Sequence, residues 1–508
     1  MPALVLDASR DWTLRDCMEV IDANAPISIA PGTVRRMRES FEHFSKASSE
    51  TDVYGVSTGL GPMVSTRVDR GHLIDQQYQL IFSHASGQGP HIAPRFARAC
   101  VLARARSMSA GLSAVRPDLP ELLVRFLNEN VAPVIPRHGG VGASGDLVQL
   151  AHLGLGMIGR GQLLDAGAAR RADQVFRERL ATPPLELMFR DGLAICNGTS
   201  CMTGIAVANI TDATALVSHA VDLAAALAAI TETAPAAFGP VLNGAKRHRA
   251  QQDVARRITD RRSRFGPPLR LGGTRPLQEH YSIRCTPQII GTILQTVRNA
   301  ARVVEDEFNS VSDNPIFDPH SGAIEHGGNF HGEPVAVAMD QLKLAMAKLT
   351  MLLERQINFL VNDDVNKVLP AFLNRGTAGI DFGFQGAQFT AVSTTAHSQS
   401  LAFPMSLHSI PSNKDNQDIV SMGTDSAMMT AEVIDNAFSV MAILALAVDA
   451  ALAISETRAP AGDAQPAFLA ATSQNRIPAS LEGPMSDALA EVACELRQLD
   501  RAAFDLLD

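Results

Sequence analysis

Residues 139–152 read GGVGASGDLVQLAH, and the fold turns on what this glycine-rich stretch is for. Gly139, Gly140, Gly142 and Gly145 surround Ala143 and Ser144, and Asp146 follows directly. Three readings compete: a phosphate-cradling turn, an exposed nucleophilic serine, and a backbone that reacts with itself. Residues 140–145 satisfy G-x-G-x-x-G, but that fingerprint requires a buried strand just before it and a helix just after. The preceding VAPVIPRHG puts Pro133 and Pro136 where a central parallel strand needs ladder donors, so no nucleotide cofactor is expected. The nucleophile elbow G-x-S-x-G fails because position 146 is aspartate. A helix N-cap at Ser144 or Asp146, opening LVQLAHLGLGMI, accounts for a polar side chain but not for so much glycine.

Self-reaction accounts for every residue. Attack of the Gly145 nitrogen on the Ala143 carbonyl closes a five-membered ring. Loss of water from that carbon and from the Ser144 side chain then leaves an exocyclic methylidene, and Asp146 is placed to assist proton transfer. Small residues at 142, 143 and 145 permit the tight fold. The product is an electrophile, which no standard side chain is. The stretch resembles the Ala-Ser-Gly signature GSVGASGDLAPL of the aromatic amino acid ammonia-lyases and aminomutases. These enzymes build a 4-methylideneimidazole-5-one group from the tripeptide. This chain departs from the signature at Gly140 and at Val148-Gln149, outside the cyclising residues.

Further segments resemble the same family in the same order: YGVSTGLG (54–61), SHASGQG (83–89), NGTSCMTG (197–204), YSIRCTPQIIG (281–291), NSVSDNP (309–315), GGNFHGEP (327–334) and SNKDNQDIVSMG (412–423). The resemblance implies a carbon–nitrogen lyase whose prosthetic group forms from Ala143, Ser144 and Gly145. It makes Tyr54 the base that takes the β-hydrogen. Free tyrosine titrates near ~10, so activity is expected to lean alkaline. It makes Arg284 the clamp for the substrate carboxylate, a role that suits a bidentate guanidinium. Asn197, Gln278 and Tyr281 become a hydrogen-bonding shell, and Gly61, His84, Phe330 and Gln417 line the substrate pocket. In QEHY (278–281), Glu279 and His280 differ from the family's usual residues. Glu325, His326, His331 and Glu333 imitate a metal site, but their spacing matches no standard zinc pattern, and no metal is expected.

Away from the motifs, the chain has 508 residues, 46% of them hydrophobic but only 5% aromatic, so its core is aliphatic and favours helix. Residues 206–233 and 333–361 carry apolar side chains at three- and four-residue spacing over many turns and predict long helices in a bundle that continues across subunits. The first 200 residues are broken by prolines and glycines. The expected fold is mainly α, with a loop-rich N-terminal domain (1–200) carrying the prosthetic group and a helical bundle with C-terminal helices (201–508). Family likeness implies a homotetramer with pockets shared between subunits.

A net charge of −9 without a long basic run argues against nucleic acid. The run 437–455 is interrupted by Asp449 and reads as a buried helix rather than a membrane span. Six scattered cysteines read as reduced thiols, and the acidic N-terminus lacks the basic n-region of a signal peptide, which predicts a cytoplasmic protein.

The substrate reading rests on two positions. Ser83-His84 resembles the pair in histidine ammonia-lyases, whereas Gln417 stands where those enzymes hold an imidazole with glutamate. A neutral amide gives a polarised imidazole little help, and His84 can serve a phenol hydroxyl, which is both donor and acceptor. The combination predicts L-tyrosine deaminated to 4-coumarate. Tyrosine 2,3-aminomutase is the first alternative and histidine ammonia-lyase the second.

Overall fold

The computed structural model describes residues 3–268, 277–377, 379–473, 483–498 and 501–507. The protein is mainly helical. Four helices exceed twenty residues: Ser200–Ile230, Thr286–Phe308, Glu333–Val361 and Gly423–Ser455. Their Ala-, Leu- and Met-rich sequences favour helix, and the prolines at 287 and 334 sit in first turns, where a missing amide donor costs nothing. The first of them stops at Ile230, and Glu232 beyond it adopts a left-handed φ of 50°. Ser200–Ile230 and Gly423–Ser455 are long and apolar enough to cross a membrane, yet 89% and 83% of their apolar windows are buried within the protein. They are core helices.

The chain divides into two compact units. The first gathers residues 1–209, 300–340 and 404–428, and the second residues 210–299, 341–403 and 429–508. Four of its five boundaries fall within the long helices, and the fifth, at 403/404, in a loop.

The first unit combines shorter helices with small sheets. Thr13 caps the helix Leu14–Ile21 through a reciprocal box with Asp16. Strand Val131–Pro133 pairs antiparallel with Gln162–Asp165, and Pro136–His138 pairs antiparallel with Gln88–His91. Pro133 and Pro136 thus fall on edge strands of two separate small sheets, where a proline is tolerated. The strand directly before Gly140, Pro136–His138, is antiparallel, which removes the context a dinucleotide fingerprint needs. Phe44, Val53, Val56, Ala114 and Phe317 form a buried cluster, with Phe189 and Phe317 edge-on to Phe44. Val53 and Val56 anchor the loop that carries Tyr54.

Among its described residues the second unit has helices as its only named elements, joined by loops. It holds Arg249–Arg262, Gln385–Leu401 and Met485–Arg497, beside its portions of the long helices. The one-turn helix Tyr281–Arg284 also belongs to it.

Candidate active site

Strand Pro136–His138 delivers the chain straight into the glycine-rich turn. Gly142 and Gly145 have φ of 72° and 69°, a region that side chains disfavour. Space is as restrictive as conformation. A Cβ on Gly145 would lie 2.0 Å from the Gly198 carbonyl oxygen, and one on Gly142 would lie 2.1 Å from Ser421 Oγ. Gly145 makes backbone bridges to Gly142, to Ala143 and to Gly198. The tripeptide is therefore folded back on itself, which is the shape a nitrogen at 145 needs to reach a carbonyl at 143. The residues present fit the self-derived prosthetic group.

Asp146 follows, but it does not cap its own helix. It occupies the N-cap position of Leu147–Met157 without a side-chain bond there. Its carboxylate instead accepts the amides of Cys201 (2.8 Å) and Met202 (2.9 Å) and the Thr424 hydroxyl. The first turn of Ser200–Ile230 offers free amides and the positive end of a long helix, and this is the stronger partner. Burial pushes the Asp146 carboxyl up to about 6, against the opposing hydrogen bonds from Thr424, Met202 and Cys201. Near neutral pH this carboxylate is a better proton acceptor than an exposed aspartate, one residue from the Gly145 nitrogen.

A cavity of about 660 Å³ opens over Ala143 and Ser144, lined wholly by the first unit. It brings together Tyr54, Gly61, His84, Ala143, Ser144, Asn197, Phe330 and Gln417. The Tyr54 hydroxyl accepts the Gly61 amide at 2.9 Å, a donor suited to stabilise charge that develops on that oxygen. Gln417 donates from Nε2 to Ser144 Oγ at 3.0 Å, while its Oε1 accepts from Ser412. Asn197 donates both amide hydrogens, to Asp313 Oδ1 and to the Asn314 carbonyl, each at 3.2 Å. Its Oδ1 is left as the polar atom a ligand can use. His84 Nδ1 lies 2.9 Å from the Leu80 carbonyl, so it must donate, and in the neutral ring Nε2 is left as an acceptor.

Gln278, Tyr281 and Arg284 do not line this cavity and belong to the second unit. Tyr281 is 70% exposed, and the Arg284 guanidinium stacks on its ring at 4.8 Å. Among the described residues Asp418 is the only Asp, Glu, Lys or Arg side chain on the cavity wall, so none of them offers a substrate carboxylate a fixed cation there. His326, one of the imitation metal ligands, accepts the Tyr54 amide through Nε2 at 3.3 Å. Among the described residues no group of three potential ligands is arranged for a metal.

Two supports were not read from the sequence. The first is the consecutive pair Gln76-Gln77 on the helix Leu73–His84. Gln77 is fully buried. It donates to the Gly55 carbonyl (3.2 Å) and accepts the Leu193 amide (3.0 Å), while Gln76 donates to the Thr58 carbonyl (3.1 Å). Together they hold both sides of the Tyr54 loop. Gln77→Glu keeps the acceptor for Leu193 but sets a carboxylate against the Gly55 carbonyl. We expect kcat to fall by about ten- to a hundredfold while the mass deficit relative to the variant's own encoded sequence stays that of the wild type, as read by steady-state kinetics and mass spectrometry. An unchanged kcat would show that the loop does not depend on this tether.

The second support lies behind Asn197. Asp313 and Arg190 form a two-pronged ion pair at 3.1 and 3.2 Å, both side chains buried. Removing one partner strands the other charge in the core. Asp313→Ala should lower unfolding stability by about 3–5 kcal/mol, measured by urea denaturation. The signal was present in NSVSDNP, but only the fold shows that its aspartate faces Arg190 and Asn197.

The comparisons with known proteins agree with this geometry. The model of the aromatic amino acid lyase family matches residues 12–474. A tyrosine ammonia-lyase of Cupriavidus metallidurans is 38% identical over 92% of this chain and 90% of its own length. A histidine ammonia-lyase of Geobacillus thermodenitrificans is 36% identical, covering 87% of each chain. The crystal structure of a tyrosine aminomutase from Streptomyces globisporus superposes with a TM-score of 0.90 at 32% identity, covering 98% of this chain and 97% of that one. A glycine-folded Ala-Ser-Gly turn under a cavity with a loop tyrosine, and likeness over almost the whole chain, converge on one statement: this protein is a carbon–nitrogen lyase of the aromatic amino acid lyase family.

Proposed function

We propose that the protein deaminates L-tyrosine to 4-coumarate and ammonia, using a 4-methylideneimidazole-5-one group formed from Ala143, Ser144 and Gly145. That group supplies an electrophile for the substrate amine. Tyr54 then takes the β-hydrogen, with the Gly61 amide stabilising its oxygen. Asn197 Oδ1 accepts from the substrate ammonium. Phe330 walls the ring, and Gln417 orients the residue at 144.

The observation that carries the substrate assignment is the 2.9 Å contact between His84 Nδ1 and the Leu80 carbonyl, an acceptor. With Nδ1 committed to the Leu80 carbonyl, Nε2 accepts, and a phenol hydroxyl is a donor of the right kind. Gln417 supports the same reading, because its amide is engaged by Ser144 and Ser412 and carries no charge for an imidazole. His84→Phe should lower kcat/KM for tyrosine by about tenfold or more and shift preference toward phenylalanine. Separate incubations with tyrosine, phenylalanine, dihydroxyphenylalanine and histidine, followed by chromatography, read this directly. Urocanate as the main product would overturn the assignment, and β-tyrosine would make the enzyme an aminomutase.

The same reading extends to assembly. A cavity without a fixed cation and an exposed Tyr281 stacked on a half-buried Arg284 are complementary deficits. A homotetramer in which Gln278, Tyr281 and Arg284 of one subunit complete the cavity of another resolves both. Mixing two inactive variants, Tyr54→Phe and Arg284→Ala, should then restore part of the activity on subunit exchange. The apolar helices being core helices, and the cysteines being unpaired thiols, support a cytoplasmic location.

A further inference from the structure

A second, smaller cavity of about 160 Å³ lies wholly in the second unit. Arg257, Arg261 and Arg264 line it, with Ser218 and Asp222 from the helix Ser200–Ile230 and Gln465 from the chain's C-terminal part. The arginines recur at four- and three-residue spacing, which brings them to one side of the helix Arg249–Arg262 and the turn after it.

These cations are not equally neutralised. Arg261 pairs with Asp222 at 2.9 Å and donates to the Ser218 carbonyl. Asp253 is taken by Arg256 and Arg298, at 2.9 and 3.1 Å. Arg257 is left with the Asp505 carbonyl at 3.3 Å, and its Nε is buried without a partner among the described residues. Burial first, and then the charges of Arg261, Arg256 and Arg298, hold its guanidinium below the usual arginine range, with Asp253 opposing. Attraction to the negative end of a helix explains cations in its last turn, such as Arg261 and Arg262. It does not explain a half-buried, under-bonded arginine more than a turn further in.

We propose that this cavity binds a small oxyanion, a phosphate group, between Arg257 and Arg264, with Arg261 fixed behind it by Asp222. The volume is below that of pockets for drug-sized ligands, and the forked donors of guanidinium match tetrahedral oxyanions. A bound phosphate offsets the crowded like charge of Arg257, Arg261 and Arg264, all of which line the cavity. Ser218 and Gln465 add neutral polar groups to the wall. Free phosphate and the phosphoryl group of a metabolite share this chemistry.

The test uses the full-length protein in phosphate-free buffer at constant ionic strength. Inorganic phosphate, glycerol phosphate and sodium chloride are titrated separately by calorimetry and by thermal unfolding. The expected result is saturable binding of one phosphate per chain with a raised unfolding midpoint, and no response to chloride. Arg264→Ala and Arg257→Lys should each weaken binding by about tenfold, since the first removes a charge and the second only the fork. Neither residue touches the catalytic cavity, so unchanged deamination by both variants certifies their fold. Equal binding of glycerol phosphate assigns the site to a phosphorylated metabolite, and its exclusion assigns the site to the free ion. Heats that do not saturate, a response matched by chloride, or wild-type affinity in both variants would overturn the proposal.

Discussion

Replacing Ser144 by alanine is expected to lower deamination by more than about a thousandfold, equivalent to roughly 4 kcal/mol of lost transition-state stabilisation. Without the Ser144 hydroxyl the methylidene cannot form, so the substrate amine has no electrophile to meet. The chain itself reports the cause. Wild-type protein should be two waters lighter than its encoded sequence, and the Ser144→Ala chain should fall short of that loss. Folding is a separate matter. Ser144 Oγ accepts one bond, from Gln417 Nε2. Its removal should therefore shift the unfolding midpoint little. Gly145→Ala is the contrasting variant, because a Cβ there meets the Gly198 carbonyl oxygen at 2.0 Å and Gly198 is itself locked in place. That variant should fail both to mature and to fold normally. An active Ser144→Ala enzyme with full mass would remove the electrophile from the chemistry altogether.

The contrast also shows why some of the site was legible in the sequence and some was not. Chemistry that resides in a contiguous segment can be read directly. Ala143, Ser144 and Gly145 are adjacent, and the absence of side chains around them is itself the signal. The long helices were legible for a similar local reason, since apolar spacing repeats within each one. What the sequence does not display is recruitment across distance. Asp146 reads as the cap of the helix it precedes, yet it serves the first turn of Ser200–Ile230. Gln77 reads as one more polar residue on a helix face, yet it is buried between Gly55 and Leu193. Segments 300–340 and 404–428 join the first unit only because the chain passes out through long helices and returns. His326 looked like a false metal ligand, and the fold gives it a different task, accepting the Tyr54 amide. In each case the partner lies in another segment, and no local periodicity encodes the pairing.

Tyr54 is where loop and chemistry meet, and Tyr54→Phe should lower kcat by about 10²- to 10⁴-fold, the usual contribution of a positioned acid–base group. The substitution deletes one oxygen and its bond from the Gly61 amide, and it leaves the ring. Val53 and Val56 stay in their buried cluster, and Gln77 still holds Gly55, so the loop has no reason to move. Maturation should be complete, because the tripeptide lies in a different segment and its closing contacts are with Gly198, Gln417 and Ser421. The variant should therefore combine the full loss of two waters with nearly unchanged substrate affinity and a collapsed turnover. Gly61→Ala offers a second view of the same oxygen. Gly61 has a φ of 55°, and a Cβ there would meet Asn413 Nδ2 at 2.7 Å, so the amide that bonds Tyr54 would be displaced while the phenol remains. If the hydroxyl is the base, Gly61→Ala should also lose kcat, and its pH–rate profile should shift to higher pH because the developing charge has lost its donor. If Tyr54→Phe turns over at the wild-type rate, the β-hydrogen leaves to another group. His331 and Asn413, which share the cavity wall, would then be the side chains to substitute next.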